Sequence, residues 1–265
     1  MYNRFALAKK YVRYYLSASN GGGHGIHSPF VFNFIKQVLN DDRQYAEYEK
    51  IESLRKLLLN DNTKVEIQDF GAGSFLGSAQ QRTISSIAKN AVKSKKYAQL
   101  LYRLIKFIQP NNILELGTSL GFTTAYFSLA QPSASIQTIE AENSIAVLAE
   151  KNFEELGCSN IKVTIGNFDA VLHSIIESLA FVDFCFIDGN HRGAATLKYF
   201  QLLLPKMNNL SVLVFDDIHW SRDMESAWEE IKKCPEVRCT IDLFFIGIVF
   251  FKNEFKEQQH FTIRF

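Results

Sequence analysis

Ile113-Leu114-Glu115-Leu116-Gly117-Thr118-Ser119-Leu120-Gly121 is the most informative run of residues in the chain. Ile113 to Leu116 is a short apolar run suited to a buried strand. Gly117 and Gly121 punctuate the turn that follows, and residues 122–130 take up helical spacing. A strand, a glycine turn and a helix N-terminus together make a pocket of nucleotide size. Glycine lets the backbone approach a ligand closely, and the free amides of the first helical turn face the same space. The spacing Glu115-x-Gly117-x-x-x-Gly121 is not the Gly-x-Gly-x-x-Gly of dinucleotide-binding folds, which disfavours an NAD(P)-dependent oxidoreductase.

Strand and helix alternate regularly from residue 111. Strands are expected at 113–116, 135–139, 161–165, 182–187 and 211–215. Helices are expected between and after them, at 121–130, 144–156, 169–178, 193–204 and 224–233. Such alternation predicts an α/β fold with a parallel sheet and helices on both faces. Residues 240–243 and 246–251 are apolar strands too close together for a crossover helix, so they must pair as a hairpin or sit in separate registers. Upstream, residues 5–16, 30–39, 47–59, 83–89 and 95–109 have helical spacing, and 65–70 alternates like a strand. Ser28 before Pro29 is a helix start, a hydroxyl cap followed by a residue with no N–H to leave unsatisfied. These features predict a mostly helical cap over residues 1–95 and a ligand-binding domain over 96–265.

Several polar residues stand where such a fold binds ligands. Glu140 ends the second strand of the series, where an acid takes ribose hydroxyls; a helix-start carboxylate favoured by the dipole is the alternative. Asn167 and Phe168 follow the third strand, where the plain reading puts Phe168 in the core and Asp169 as a cap of the next helix. Asp188, with His191 three residues on, ends the fourth strand. Asp216 and Asp217, with His219 and Trp220 beyond them, end the fifth. Three carboxylates on neighbouring strand ends repel one another without a cation, and an oxygen-rich cluster suits Mg²⁺, Mn²⁺ or Ca²⁺. The competing reading is that Asp188 only touches substrate while Asp216 and Asp217 cap the next helix. His191 suits proton removal near neutral pH, though a surface or core histidine fits as well.

The glycine turn, the strand-end acids and the terminal hairpin resemble class I S-adenosylmethionine (SAM) dependent methyltransferases over about residues 85–251. The resemblance implies a Rossmann-like sheet of five parallel strands followed by a β-hairpin whose last strand runs antiparallel. It assigns Glu115, Gly117, Thr118, Ser119 and Gly121 to the amino-acid part of SAM, Glu140 to its ribose, and Asn167, Phe168 and Asp188 to the rest of the cofactor site. The acid cluster is similar to the metal-dependent O-methyltransferases of the catechol, caffeoyl-CoA and macrolide-sugar types. That likeness implies Mg²⁺ or another divalent cation on Asp188, Asp216 and Asp217, with Asp188 and His191 catalytic. The catechol type places a lysine near the fourth-strand acid; none stands here, which tilts the reading towards a histidine-assisted site. The implied reaction is methyl transfer to a small-molecule hydroxyl, with non-catalytic SAM binding as the alternative.

Composition narrows the classes further. The 265 residues are 47% hydrophobic with a net charge of +1, enough for a full core and no electrostatic case for nucleic acid. Cys158, Cys185, Cys234 and Cys239 have no metal or redox spacing and read as reduced packing residues. No apolar run approaches the ~20 residues of a membrane span, and the first residues lack a signal peptide's apolar region. A cytoplasmic protein with no membrane partner is expected, its aromatic-rich N-terminal helices offering a homodimer surface. Three loops are set aside as candidates: 21–28, a lid with His24 and His27 or a linker; 69–74, a tight turn near the active site; and 85–94, where the resemblance to O-methyltransferases implies that Lys89 or Asn90 meets SAM.

Overall fold

The computed structural model describes residues 1–19, 21–23, 26–68 and 79–265. His24 and the turn at 69–74 lie outside the described residues. The chain begins with helices α1 (Arg4–Ser17) and α2 (Pro29–Phe34), the latter running into a π-helical turn over Ile35–Leu39. Then come α3 (Ala46–Leu58), β1 (Lys64–Gln68), β2 (Ala79–Thr83), α4 (Ile84–Asn90) and α5 (Lys95–Ile108). The regular series is β3 (Asn112–Leu116), α6 (Phe122–Ala130), β4 (Ser135–Glu140), α7 (Asn143–Glu155), β5 (Ile161–Ile165) and α8 (Phe168–Ser178). It continues with β6 (Phe184–Ile187), α9 (Gly193–Leu203), β7 (Val212–Asp216) and α10 (Arg222–Lys233). Strands β8 (Cys239–Asp242), β9 (Ile246–Phe250) and β10 (Gln259–Thr262) close the chain.

Two compact units form, one from Asp41–Leu172 and the other from Met1–Asn40 with His173–Phe265. The first 95 residues are therefore shared between the units: α1 and α2 belong with the C-terminal strands, and α3 to α5 with β3–β5. In the Asp41–Leu172 unit, β3, β4 and β5 run parallel in that order, with Ile113 beside Ile136 and Ile136 beside Ile161. The buried positions of β3 and β4 are apolar apart from Glu115 and Thr138, as covered parallel strands favour. β1 and β2 pair antiparallel as a separate ribbon. Four tyrosines (Tyr45, Tyr48, Tyr102 and Tyr126) pack edge-to-face and tilted between α3, α5 and α6, their centroids 5.0–6.1 Å apart. The Tyr126 hydroxyl donates to Glu52 at 2.9 Å, and Glu52 also holds Arg55.

In the other unit, β6 and β7 are parallel, and β9 runs antiparallel to both β7 and β8. The expected hairpin is therefore present. β10 adds a parallel edge strand beside β8 that the sequence reading did not foresee. Phe184, Phe186, Phe215, Phe250 and Trp228 are all fully buried here, and truncating any one to alanine would cost about 3–5 kcal/mol. Gly247 of β9 is a packing requirement. A Cβ there would lie 2.8 Å from the Trp228 ring. α1 is capped by the Asn3 side chain, which accepts from the Ala6 amide at 2.8 Å. It is tied to the strands by the Tyr14 hydroxyl, which donates to the Ile263 carbonyl.

Candidate active site

The glycine turn after β3 is held by backbone and side chains alike. The amides of Gly117 and Thr118 both donate to the Ile139 carbonyl, at 3.0 and 3.2 Å, so the turn grows out of the β3–β4 ladder. Gly117, Ser119 and Gly121 all have left-handed backbone, with φ of 105°, 48° and 78°. Gly121 is also confined, because a Cβ would meet the Phe153 ring at 2.4 Å. Phe153 belongs to α7, and the side-chain Nδ2 of the neighbouring Asn152 donates to the Leu120 carbonyl at 2.9 Å. α7 therefore fixes the position of the turn.

Glu115 is fully buried, and its Oε2 accepts from the hydroxyls of Thr124 and Thr138, the latter at 2.7 Å. Thr138 and Thr118 share a 2.6 Å hydroxyl contact. Glu115 thus links β3, β4, the turn and the start of α6. Glu140 sits across the turn: its Oε2 accepts from the Ser119 amide at 2.8 Å and its Oε1 from the Glu142 amide at 3.1 Å. Burial pushes its carboxyl above the usual range, against the pull of those amides. Five of the cofactor residues expected from sequence (Glu115, Gly117, Thr118, Ser119 and Glu140) therefore form one connected network.

Asn167 and Phe168 follow β5. The Asn167 side chain accepts from the Asp169 amide at 2.9 Å, and its carbonyl receives Ala170 and Val171. Asn167 caps α8 in this structure, while Phe168 is half-buried. Asn90 bonds back to the Ser86 carbonyl, and Lys89 is exposed on α4. His27 is exposed, and Gly21 in the same loop accepts from the Asn40 side chain at 2.8 Å.

In the unit built around β6 and β7, the register explains the acids. Ile187 lies beside Phe215, so the next pair along the two strands is Asp188 and Asp216. Parallel neighbours stand about 4.8 Å apart, which brings their carboxylates together. One ligand atom each from Asp188, His191 and Asp216 fall within 4.8 Å of one another. The His191 Nε2 is 3.7 Å from Asp188 Oδ1, and Asp216 is only 2% exposed. The loop that carries His191 is fixed on both sides: Asn190 donates to the Tyr199 hydroxyl at 2.9 Å, and Asp223 accepts from the Gly193 amide.

Asp217 is not among those three converging groups. Its backbone is left-handed at φ 52°, a conformation that Asp tolerates better than most residues, and its amide donates to the Phe245 carbonyl at 2.7 Å. His219, two residues beyond Asp217, is engaged elsewhere. Its Nδ1 lies 3.0 Å from Glu225 and its Nε2 2.8 Å from Asp242, with the ring stacked on Phe244 at 5.1 Å. Burial lowers the imidazole pKa, but Asp242 and Glu225 outweigh it, and the net direction is upward. Sequence reading missed this brace because Asp242 is 23 residues away.

Residues 114–218 match the family model described as a methyltransferase domain, a span from β3 to just beyond β7. The fold is that of Rossmann-like methyltransferase domains, and the similarity to the family model is confined to this stretch. Part of the chain is also similar to curated O-methyltransferases. A catechol O-methyltransferase of Niastella koreensis is 31% identical over 126 residues, 46% of this chain. That match spans 55% of the relative, so the chain covers about half the length of this curated relative. Two solved structures share the fold. One is the SAH-bound methyltransferase PaMTH1 of Podospora anserina, with a TM-score of 0.58 at 11% identity over 96% of this chain and 98% of the other. The second is the O-methyltransferase TomG of Streptomyces achromogenes in complex with SAM, with a TM-score of 0.53 at 19% identity over 61% of this chain and 82% of the other.

Proposed function

We propose that the protein is a SAM-dependent O-methyltransferase acting on a small-molecule hydroxyl with the help of a divalent cation. The observation that carries the reading is the convergence of Asp188, His191 and Asp216 at the ends of two adjacent parallel strands. Two adjacent carboxylates are a donor pair that divalent cations accept, and the near-complete burial of Asp216 favours a positive charge beside it. Asp188 and Asp216 would hold the cation, with Asp217 as a further candidate. Bound there, a divalent cation supplies Lewis acidity that lowers the pKa of the acceptor hydroxyl.

The remaining roles belong to the chain. His191, at 3.7 Å from Asp188, receives the acceptor's proton. Gly117 to Gly121 present backbone to the methyl donor, and Glu140 takes its ribose hydroxyls with the lone pairs left over from its amide bonds. Asn167 and Phe168 serve its adenine. Glu115 acts mainly by holding the turn in shape, which is where its bonds to Thr124 and Thr138 point. SAM brings its own electrophile, so the protein's contribution is orientation and exclusion of water.

Catechol is the first acceptor to test, because the relative in Niastella koreensis carries that name. Methyl transfer from SAM to catechol should require Mg²⁺ or Mn²⁺ and stop in excess chelator, with Asp188→Asn and Asp216→Asn both inactive. Transfer that continues in chelator would remove the cation from the mechanism and leave His191 as a lone base, with His191→Ala as the deciding variant.

A further inference from the structure

α1 carries two different faces. Leu7, Tyr11, Tyr14 and Ala18 turn inward and pack on Phe244 and Phe245, with Tyr11 and Phe244 edge to face at 5.1 Å. Lys10 joins that inner side by pairing with Glu225 at 2.9 Å, and the Tyr2 hydroxyl donates to the same carboxylate at 2.7 Å. The helix is therefore docked firmly to its unit.

The outer face is apolar along its whole length. Spacings of three and four residues put Phe5, Ala8, Val12, Tyr15 and Leu16 in one stripe, and all five are exposed. Phe5 is 82% exposed and Leu16 72%. Of the twelve large hydrophobic residues exposed among the described residues, five lie within the first sixteen positions. Basic residues border the stripe, Arg4 on one edge and Lys9 and Arg13 on the other, all exposed. Arg264 adds a fourth cation beside it, 4.9 Å over the Tyr15 ring. The helix contains no acidic residue, in a chain whose overall charge is only +1.

We infer that this outer face of α1 docks on an anionic lipid surface. An apolar ridge edged by Lys and Arg is the pattern of a helix lying in the membrane interface, where the ridge enters the acyl boundary and the cations meet phosphate. Spanning is excluded for α1 by length, since 14 residues reach about 21 Å against a core of about 30 Å. No described helix is long and apolar enough to cross a membrane. Pairing of two copies through this stripe is disfavoured by charge, because it would bring Arg4, Lys9 and Arg13 of both copies together.

The test is co-sedimentation of the full chain with phosphatidylcholine vesicles, with and without phosphatidylglycerol, alongside gel filtration of the protein alone. Binding is expected only with phosphatidylglycerol, weakening as salt is raised. Phe5→Ser with Leu16→Ser should abolish it. Lys9→Gln with Arg13→Gln should weaken it roughly 25-fold, at about fivefold per cation. Both pairs are exposed, so thermal unfolding should be unchanged and serves as the folding control. Failure of the wild type to bind, or binding indifferent to both pairs, would overturn the inference. A dimer in gel filtration that the Phe5→Ser, Leu16→Ser pair converts to monomer, without vesicle binding, would reassign the face to contact between copies.

Discussion

Replacing Gly121 with alanine should damage the glycine turn by an amount that can be worked out from two separate effects. The first is backbone strain. An L-residue at φ 78° costs about 1–2 kcal/mol relative to glycine. The second is overlap, since the added Cβ would stand 2.4 and 2.6 Å from two atoms of the Phe153 ring and 3.3 Å from the Ala149 Cβ. Overpacking of that kind costs about 1–3 kcal/mol. The sum is roughly 2–5 kcal/mol of stability. Gly157→Ala separates the two effects. Gly157 has a similar φ of 66°, but its Cβ would meet only the flexible end of Lys50, at 3.6 Å. Urea denaturation of both variants should show Gly157→Ala losing only the strain and Gly121→Ala losing clearly more. Titration with SAM should then be weakened in Gly121→Ala alone, because Phe153 can only yield by shifting the turn or α7. Equal losses of stability in the two variants would refute the idea that Phe153 confines the turn.

Glu140→Ala should weaken SAM binding by about 1.5–3 kcal/mol, the worth of hydrogen bonds to a charged acceptor, as read by calorimetry. An unchanged affinity would leave Glu140 with only the Ser119 and Glu142 amides as its role. Asp216→Asn should abolish cation-dependent turnover while SAM affinity stays close to that of the wild type; a parallel loss of SAM affinity would contradict the division of labour proposed here. His219→Gln should destabilise the protein in a pH-dependent way. The folded-state pKa of His219 lies above its unfolded value of about 6.5, so its contribution is full below that value and is lost as pH rises through the raised one. Melting curves of wild type and variant should therefore converge as the buffer is made alkaline, and a constant difference would exclude a charged His219.

Much of the architecture was legible because the strands of the α/β series are short apolar runs closed by a polar signal. Glycine closes β3, and acids close β4, β6 and β7. The parallel register of β6 and β7 then does what sequence cannot state directly, setting Asp188 opposite Asp216. His191 could be singled out from its offset alone. Other features depend on partners distant in the chain. β2 and β10 are short polar segments that become strands only because β1 and β8 offer them an edge. The brace of His219 between Glu225 and Asp242 requires the β8–β9 turn to reach the segment after β7, and nothing local announces that. Asp217 reads as a third ligand from its neighbour, whereas its left-handed backbone supplies a separate reason for Asp at that position. The division of the first 95 residues between two units was hidden for the same reason, because helical spacing shows an apolar face without showing what covers it.

The most direct test of the central claim is calorimetric titration of the full chain with SAM, S-adenosylhomocysteine and NAD in turn. Saturable one-to-one binding of the first two is expected, lost or sharply weakened in Glu140→Ala and Gly121→Ala, with no heat from NAD. Binding of NAD with no signal from SAM or S-adenosylhomocysteine would contradict it.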